Sequence, residues 1–156
     1  MKKNSLNIIL GLLLVLNFYG CANLNNATAI SGVKHQNKKL EKNDAPIRLK
    51  YKEHNGGITY NPYLIGKATP TVANSLLTKD TLDAIKKIYK DKEVNLVQTR
   101  FVSSNKTLTS IKEVWVVKNE KSEIYAYLVN FIIMPTGGTD IDIHGGHIVF
   151  QEMLKE

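Results

Sequence analysis

The sequence predicts an α+β domain in which one main amphipathic helix packs on an antiparallel sheet of about four strands in a meander, preceded by short N-terminal strands. Three observations predict it. Apolar residues recur at helical spacing after Thr78, four strand-like runs follow between Val94 and Phe150, and short polar or Gly-Pro connections separate the last three runs.

The chain begins with Lys2 and Lys3, continues through an apolar run from Ile8 to Leu16 broken only by Gly11, and reaches Tyr19-Gly20-Cys21. That order, positive charge, apolar run, small residue, is the order of a secretory signal. The run is too short to span a bilayer, which takes roughly 20 apolar residues. An N-terminal signal anchor and a signal cleaved elsewhere are the competing readings. Residues 1–20 are therefore read as signal peptide, 21–45 as a flexible tether and 46–156 as a single globular domain.

The tether, rich in Asn and Lys and without aromatic residues, carries too little apolar surface to offset the ordering of its own backbone. A spacer of about 24 residues has a root-mean-square reach of about 25–30 Å. Lys34, Lys38, Lys39 and Lys42 lying against an anionic membrane is the functional alternative to a solvated spacer.

From Pro46 the composition changes. Ile47 to Tyr51 alternates as a half-buried strand does, Gly56-Gly57 turns the chain, and Ile58 to Tyr63 is placed to pair back, with Pro62 confining it to an edge or a loop. The helix is expected to start near Thr78 as N-cap, with Leu77 and Leu82 as a hydrophobic staple. Leu82, Ile85, Ile88 and Tyr89 share an arc of about 120°. The strand-like runs are Val94 to Val102, Ile111 to Val117, Glu123 to Met134 and Thr139 to Phe150. In the third, Tyr125, Tyr127, Val129, Phe131 and Ile133 occupy one parity and Ile124, Ala126, Leu128, Asn130 and Ile132 the other, so it belongs at the centre of a sheet covered on both sides. The helix covers one side. Residues 46–75, a second protomer or a partner cover the other, and the first of these is preferred.

Asp140, Asp142 and His144 project from one face of the last run and Ile141 and Ile143 from the other. With His147 beyond a diglycine, these four are the candidate metal ligands, because zinc accepts such oxygen and nitrogen donors. The spacing matches no established metal motif, and the competing reading is the solvated face of a final strand. No cofactor is expected. Glu113, Glu120 and Glu123 flank the predicted hairpin as ordinary turn charges, and His54 belongs to a turn. A nucleophile elbow and a phosphate-binding glycine loop are both missing from the sequence, so catalysis is not expected.

Gly20-Cys21 closing the apolar run resembles a bacterial lipoprotein signal, whose site reads aliphatic, small, Gly or Ala, then Cys. Phe18 and Tyr19 are bulkier than that pattern prefers. The resemblance implies that Cys21 becomes the first mature residue and carries acyl chains, each buried methylene contributing about 0.8 kcal/mol. Ala22 and Asn23 lack the aspartate that retains enteric lipoproteins at the inner membrane. The periplasmic face of the outer membrane is the implied location, with the inner membrane as alternative. The helix, Glu113-Val114-Trp115-Val116-Val117, the polar hairpin, the long apolar strand and Gly137-Gly138-Thr139-Asp140 are together similar to small uncharacterised lipoproteins of Gram-negative bacteria, and that similarity carries no catalytic residue.

Of 21 basic and 14 acidic residues, 19 and 14 remain after removal of the first twenty, a net charge of +5. This suits an anionic partner, such as phospholipid headgroups or an acidic protein, and an exported chain rarely meets nucleic acid. With its only cysteine lipidated, the mature chain has no thiol for catalysis, metal ligation or a disulfide. The expected function is a non-enzymatic binding or scaffolding lipoprotein of the envelope, meeting the bilayer through Cys21 and an envelope protein or cell-wall partner through its domain. An inhibitor or immunity protein against a periplasmic hydrolase is the alternative, and a metal protein using Asp140 to His147 a third.

Overall fold

A computed structural model of the chain describes residues 26–155 apart from Gly56, Asp91, Lys92 and the side chain of Tyr89. The signal peptide and Cys21 lie outside the described residues. The fold is α+β. In chain order the elements are α1 (Asn26–Lys42), β1 (Ile47–His54), β2 (Gly57–Leu64), β3 (Lys67–Ala68), α2 (Ser75–Tyr89), β4 (Val94–Ser104), β5 (Ser110–Asn119), β6 (Ile124–Ile133), β7 (Thr139–Ile148) and a 3-10 turn at Gln151–Leu154. Strands β3 to β7 form a five-stranded antiparallel sheet in sequence order, and β1 and β2 form a separate two-stranded ribbon. No helix among the described residues is long and apolar enough to cross a membrane.

The central sheet is covered on both faces, as the apolar character of both parities of β6 demands. On one face Trp115, Val117, Tyr127, Val129 and Phe131 form a core with Ile85 of α2, joined by Leu77 and Leu82. Trp115 and Phe131 meet edge to face, ring centroids 5.9 Å apart. On the other face Val114, Val116, Ala126 and Leu128 are covered by Ile47 and Leu64 of the ribbon and by Ala45 just before it, with Val149 and Met153 from the C-terminal segment. The cover thus comes mainly from residues 45–64 of the same chain.

Helix α2 starts one turn earlier than expected. Asn74 is the N-cap, its extended backbone and side chain accepting the Leu77 amide hydrogen at 2.9 Å. Asn is among the best caps, so the helix begins at Ser75 and Thr78 lies inside its first turn. The earlier start also shifts the buried line. Thr81 and Ile85 are fully buried, whereas Ile88, expected on the apolar face, is exposed. Thr81 tolerates this because its hydroxyl donates to the Leu77 carbonyl at 2.7 Å, leaving a methyl for the core.

The larger departure is α1. Residues 26–42, expected as spacer, form a helix that packs on the ribbon through Val33 and Leu40. The physical reason lies in Asn37. Its side-chain amide donates to the Leu49 carbonyl at 2.8 Å, and its carbonyl oxygen accepts the Leu49 amide hydrogen at 2.8 Å. Leu49 stands opposite Pro62 in the ribbon register. Proline has no N–H to exchange, so this pair is of the non-hydrogen-bonded type and the Leu49 backbone groups point away from β2. Asn37 satisfies both, acting as one residue of a neighbouring strand and closing the ribbon's edge.

Candidate functional site

The acidic and histidine residues picked out on the last strand lie on β7, the outer strand of the sheet opposite β3. Alternation is as expected: Asp140 and Asp142 are exposed, while Ile141 and Ile143 pack toward the α2 core. His144 Nε2 lies 2.8 Å from Asp142 Oδ2. At the diglycine the register shifts by one residue, so that Gly145 faces Tyr127 and His147 faces Ala126. This bulge turns His147 inward. Its Nδ1 is buried without a hydrogen-bond partner, and burial pushes its pKa below the ordinary histidine value.

Gly145 is required there. Its φ is +102°, and a Cβ would stand 3.0 Å from Pro46 Cδ and 3.3 Å from His147 Nδ1. The strand therefore closes tightly over the start of the ribbon. Asp142 and His144 are brought together, but among the described residues no three His, Cys, Asp or Glu side chains converge on a point where a metal ion would sit. A carboxylate that orients an imidazole is half of an acid–base constellation. No hydroxyl among the described residues hydrogen-bonds either group. Asp140, Asp142 and the bulge also supply charge and twist to an otherwise open sheet edge, a recognised means of discouraging strand addition.

The most constrained polar group is one that the sequence reading assigned to a turn. Glu113 is fully buried on the α2 side of β5. Its Oε2 accepts from the Thr71 hydroxyl at 2.7 Å and from Trp115 Nε1 at 2.9 Å, and its Oε1 accepts from the Val72 amide at 2.9 Å. The carboxylate thereby ties residues 71–73, which lead into α2, to the centre of the sheet. The signal was present in the sequence: Glu113 shares parity with Trp115 and Val117. Thr71 also borders a shallow open groove of about 590 Å³ between residues 68–71 and the Leu96 to Thr99 stretch of β4.

The other two glutamates do act in turns. Glu120 accepts from the Glu93 amide at 3.2 Å. Glu123 accepts from Asn119 Nδ2 and from the Tyr125 hydroxyl, both at 2.9 Å. Those bonds, Asn119 first, and the charge of Lys121 hold its carboxyl below the usual range. Asn119 Oδ1 accepts from the Lys121 and Glu123 amides, so this buried side chain organises the β5–β6 turn.

Compared with protein-family models, with curated proteins and with solved structures, the chain matches none. The class the coordinates define is a layered α+β domain.

Proposed function

We propose that this chain is a lipid-anchored protein of the bacterial envelope, acylated at Cys21, whose domain serves as a non-enzymatic binding or scaffolding module at the periplasmic face of the outer membrane. The observation that carries the reading is the Lys2-Lys3 start and the apolar run that ends in Gly20-Cys21. The described fold is compatible with it and adds a distance. Helix α1 begins at Asn26, five residues beyond Cys21. Five residues reach at most about 18 Å even when fully extended. An acylated Cys21 therefore holds the start of α1 within about 18 Å of the anchor, in place of the flexible 24-residue reach expected from composition.

The test is acyl labelling. Cells expressing the full chain with a clickable palmitate analogue should yield labelled protein, and Cys21→Ser should lose the label. An unlabelled wild-type chain, or a Cys21→Ser chain that keeps its label, refutes the anchor. Cross-linking in intact envelopes then tests the module: a captured protein, or a cross-linked oligomer, supports binding or scaffolding, and recovery of neither refutes it.

A further inference from the structure

Helix α1 has a face that the fold does not use. Val33, Asn37 and Leu40 turn toward the ribbon. On the other side, at about 100° per residue, Lys34, Lys38 and Lys42 fall within about 80° of one another and Lys39 about 60° beyond. All four are exposed, and among the described residues none of them is ion-paired. Glu41 is the one acidic residue in the helix, at the margin of this arc. Four lysines against one glutamate give α1 a charge of +3, more than half of the +5 carried by the chain from Cys21 onward.

We propose that this lysine face of α1 lies on the anionic phospholipid headgroups of the membrane that holds the Cys21 lipid. The proposal rests on the lipoprotein reading, because the anchor sets the reach. With α1 starting at most about 18 Å from the acylated residue, its first turn is kept near the headgroup layer and the lysine face is within reach of it. The row from Lys34 to Lys42 rises about 12 Å along the axis, winds through about 80° and lies on the side of α1 away from the ribbon. Between the lysines the arc carries Ser31 and His35 and no large apolar side chain. Contact is therefore with headgroups, without insertion into the acyl region. Each lysine held at an anionic surface contributes about 1 kcal/mol, roughly five-fold in occupancy. The lipid chains hold the protein, and the lysines fix which side of it faces the bilayer.

The experiment uses the full chain purified as the lipoprotein and reconstituted into vesicles of phosphatidylcholine alone or of phosphatidylcholine and phosphatidylglycerol in equal parts. A membrane-impermeant amine reagent is applied, and labelling of Lys34, Lys38, Lys39 and Lys42 is measured by mass spectrometry relative to Lys106, which is exposed in the β4–β5 loop. The expected result is at least about five-fold slower labelling of the four on the anionic vesicles, abolished by molar potassium chloride. Equal labelling on both vesicles overturns the proposal, as does protection that appears only in native envelopes, which assigns the face to a protein. Acyl labelling of the same preparation separates the two levels. A chain without acyl groups removes the lipoprotein reading and this inference with it, whereas an acylated chain with equally reactive lysines removes this inference alone.

Discussion

Replacing Glu113 tests whether one buried carboxylate couples the entry of α2 to the sheet. Its three donors differ in what they lose. The Thr71 hydroxyl sits in a half-buried residue and rotates to another acceptor, but Trp115 is fully buried and Val72 N–H is fixed by the backbone. A buried donor left without a partner costs about 1–3 kcal/mol. Glu113→Ala strands one such donor, Trp115 Nε1–H, frees the Val72 N–H of an exposed residue to water, and opens a void, so a loss of about 2–4 kcal/mol is expected. Glu113→Gln keeps the shape and one acceptor oxygen. Its amide must then face either the Val72 N–H or the Trp115 Nε1–H, which limits the loss to about 1–3 kcal/mol. In a domain of this size each kcal/mol lowers Tm by about 3–5 °C. Urea unfolding followed by Trp115 fluorescence gives the energies, and the indole N–H resonance reports the bond itself, moving upfield in Glu113→Ala. Glu113→Ala within about 1 kcal/mol of wild type, or an unmoved indole resonance, would refute the coupling.

Three further outcomes follow from the geometry. His147 is held below the ordinary histidine pKa by burial, so the unfolded chain takes up a proton that the folded chain resists. Stability should be full above about pH 6.5 and fall as pH drops below it, and His147→Asn should flatten that part of the urea-midpoint profile. An identical slope in the variant would exclude the residue. Gly66 has φ +80°, and an added Cβ would stand 2.5 Å from the Phe101 carbonyl oxygen, whereas Gly138 has φ +88° with open space around it. Gly66→Ala should therefore cost more than Gly138→Ala, which pays only the left-handed backbone, about 1–2 kcal/mol; equal melting temperatures would remove the close approach from the account. Asn37→Ala should lose about 1–3 kcal/mol and speed amide exchange at Leu49, and unchanged Leu49 protection would show that α1 is not bonded to the ribbon.

The strands were legible because their alternation is strong and their turns carry polar or glycine signals. The β4 to β7 meander needed no information from outside the 94–150 stretch. Two features were hidden for different reasons. By residue type Glu113 resembles a surface charge, but its strand parity points inward. The apolar Ile111, Trp115 and Val117 on its own side of β5 already placed it inward, and only its donors, two of them about 40 residues earlier in the chain, make that tolerable. Helix α1 was hidden because its apolar face is thin. An isolated helix of 17 residues with Val33 and Leu40 as its main packed side chains is marginal in water, and its stability comes from docking. The Asn37–Leu49 bonds that fix the dock have no local signature, since an asparagine in a lysine-rich stretch reads as spacer. The placement of the candidate metal residues was only partly legible, for a third reason. Their strand periodicity was right up to His144, but the bulge at the diglycine, which decides where His147 points, depends on closure against Pro46.

Layer order then constrains orientation. The sheet lies between α2 on one face and the β1–β2 ribbon on the other, and α1 packs on the ribbon from outside, so the sequence of layers is α2, sheet, ribbon, α1. If α1 rests on the bilayer, α2 is the layer furthest from it. The Thr71 groove lies by the entry to α2, at the sheet edge formed by β3 and β4, and Glu113 holds that entry to the sheet. On the proposed reading, an anchor, a basic helix and a buried carboxylate that are distant in sequence act along one axis: the first two would set which layer meets the membrane, and the third fixes the segment presented on the opposite side. If the proposal holds, loss of the lysines leaves an anchored domain free to tumble about its lipid, whereas loss of Glu113 leaves it oriented but loosens the α2 entry. The two effects are separable, and lysine labelling together with the indole resonance distinguishes them in a single preparation.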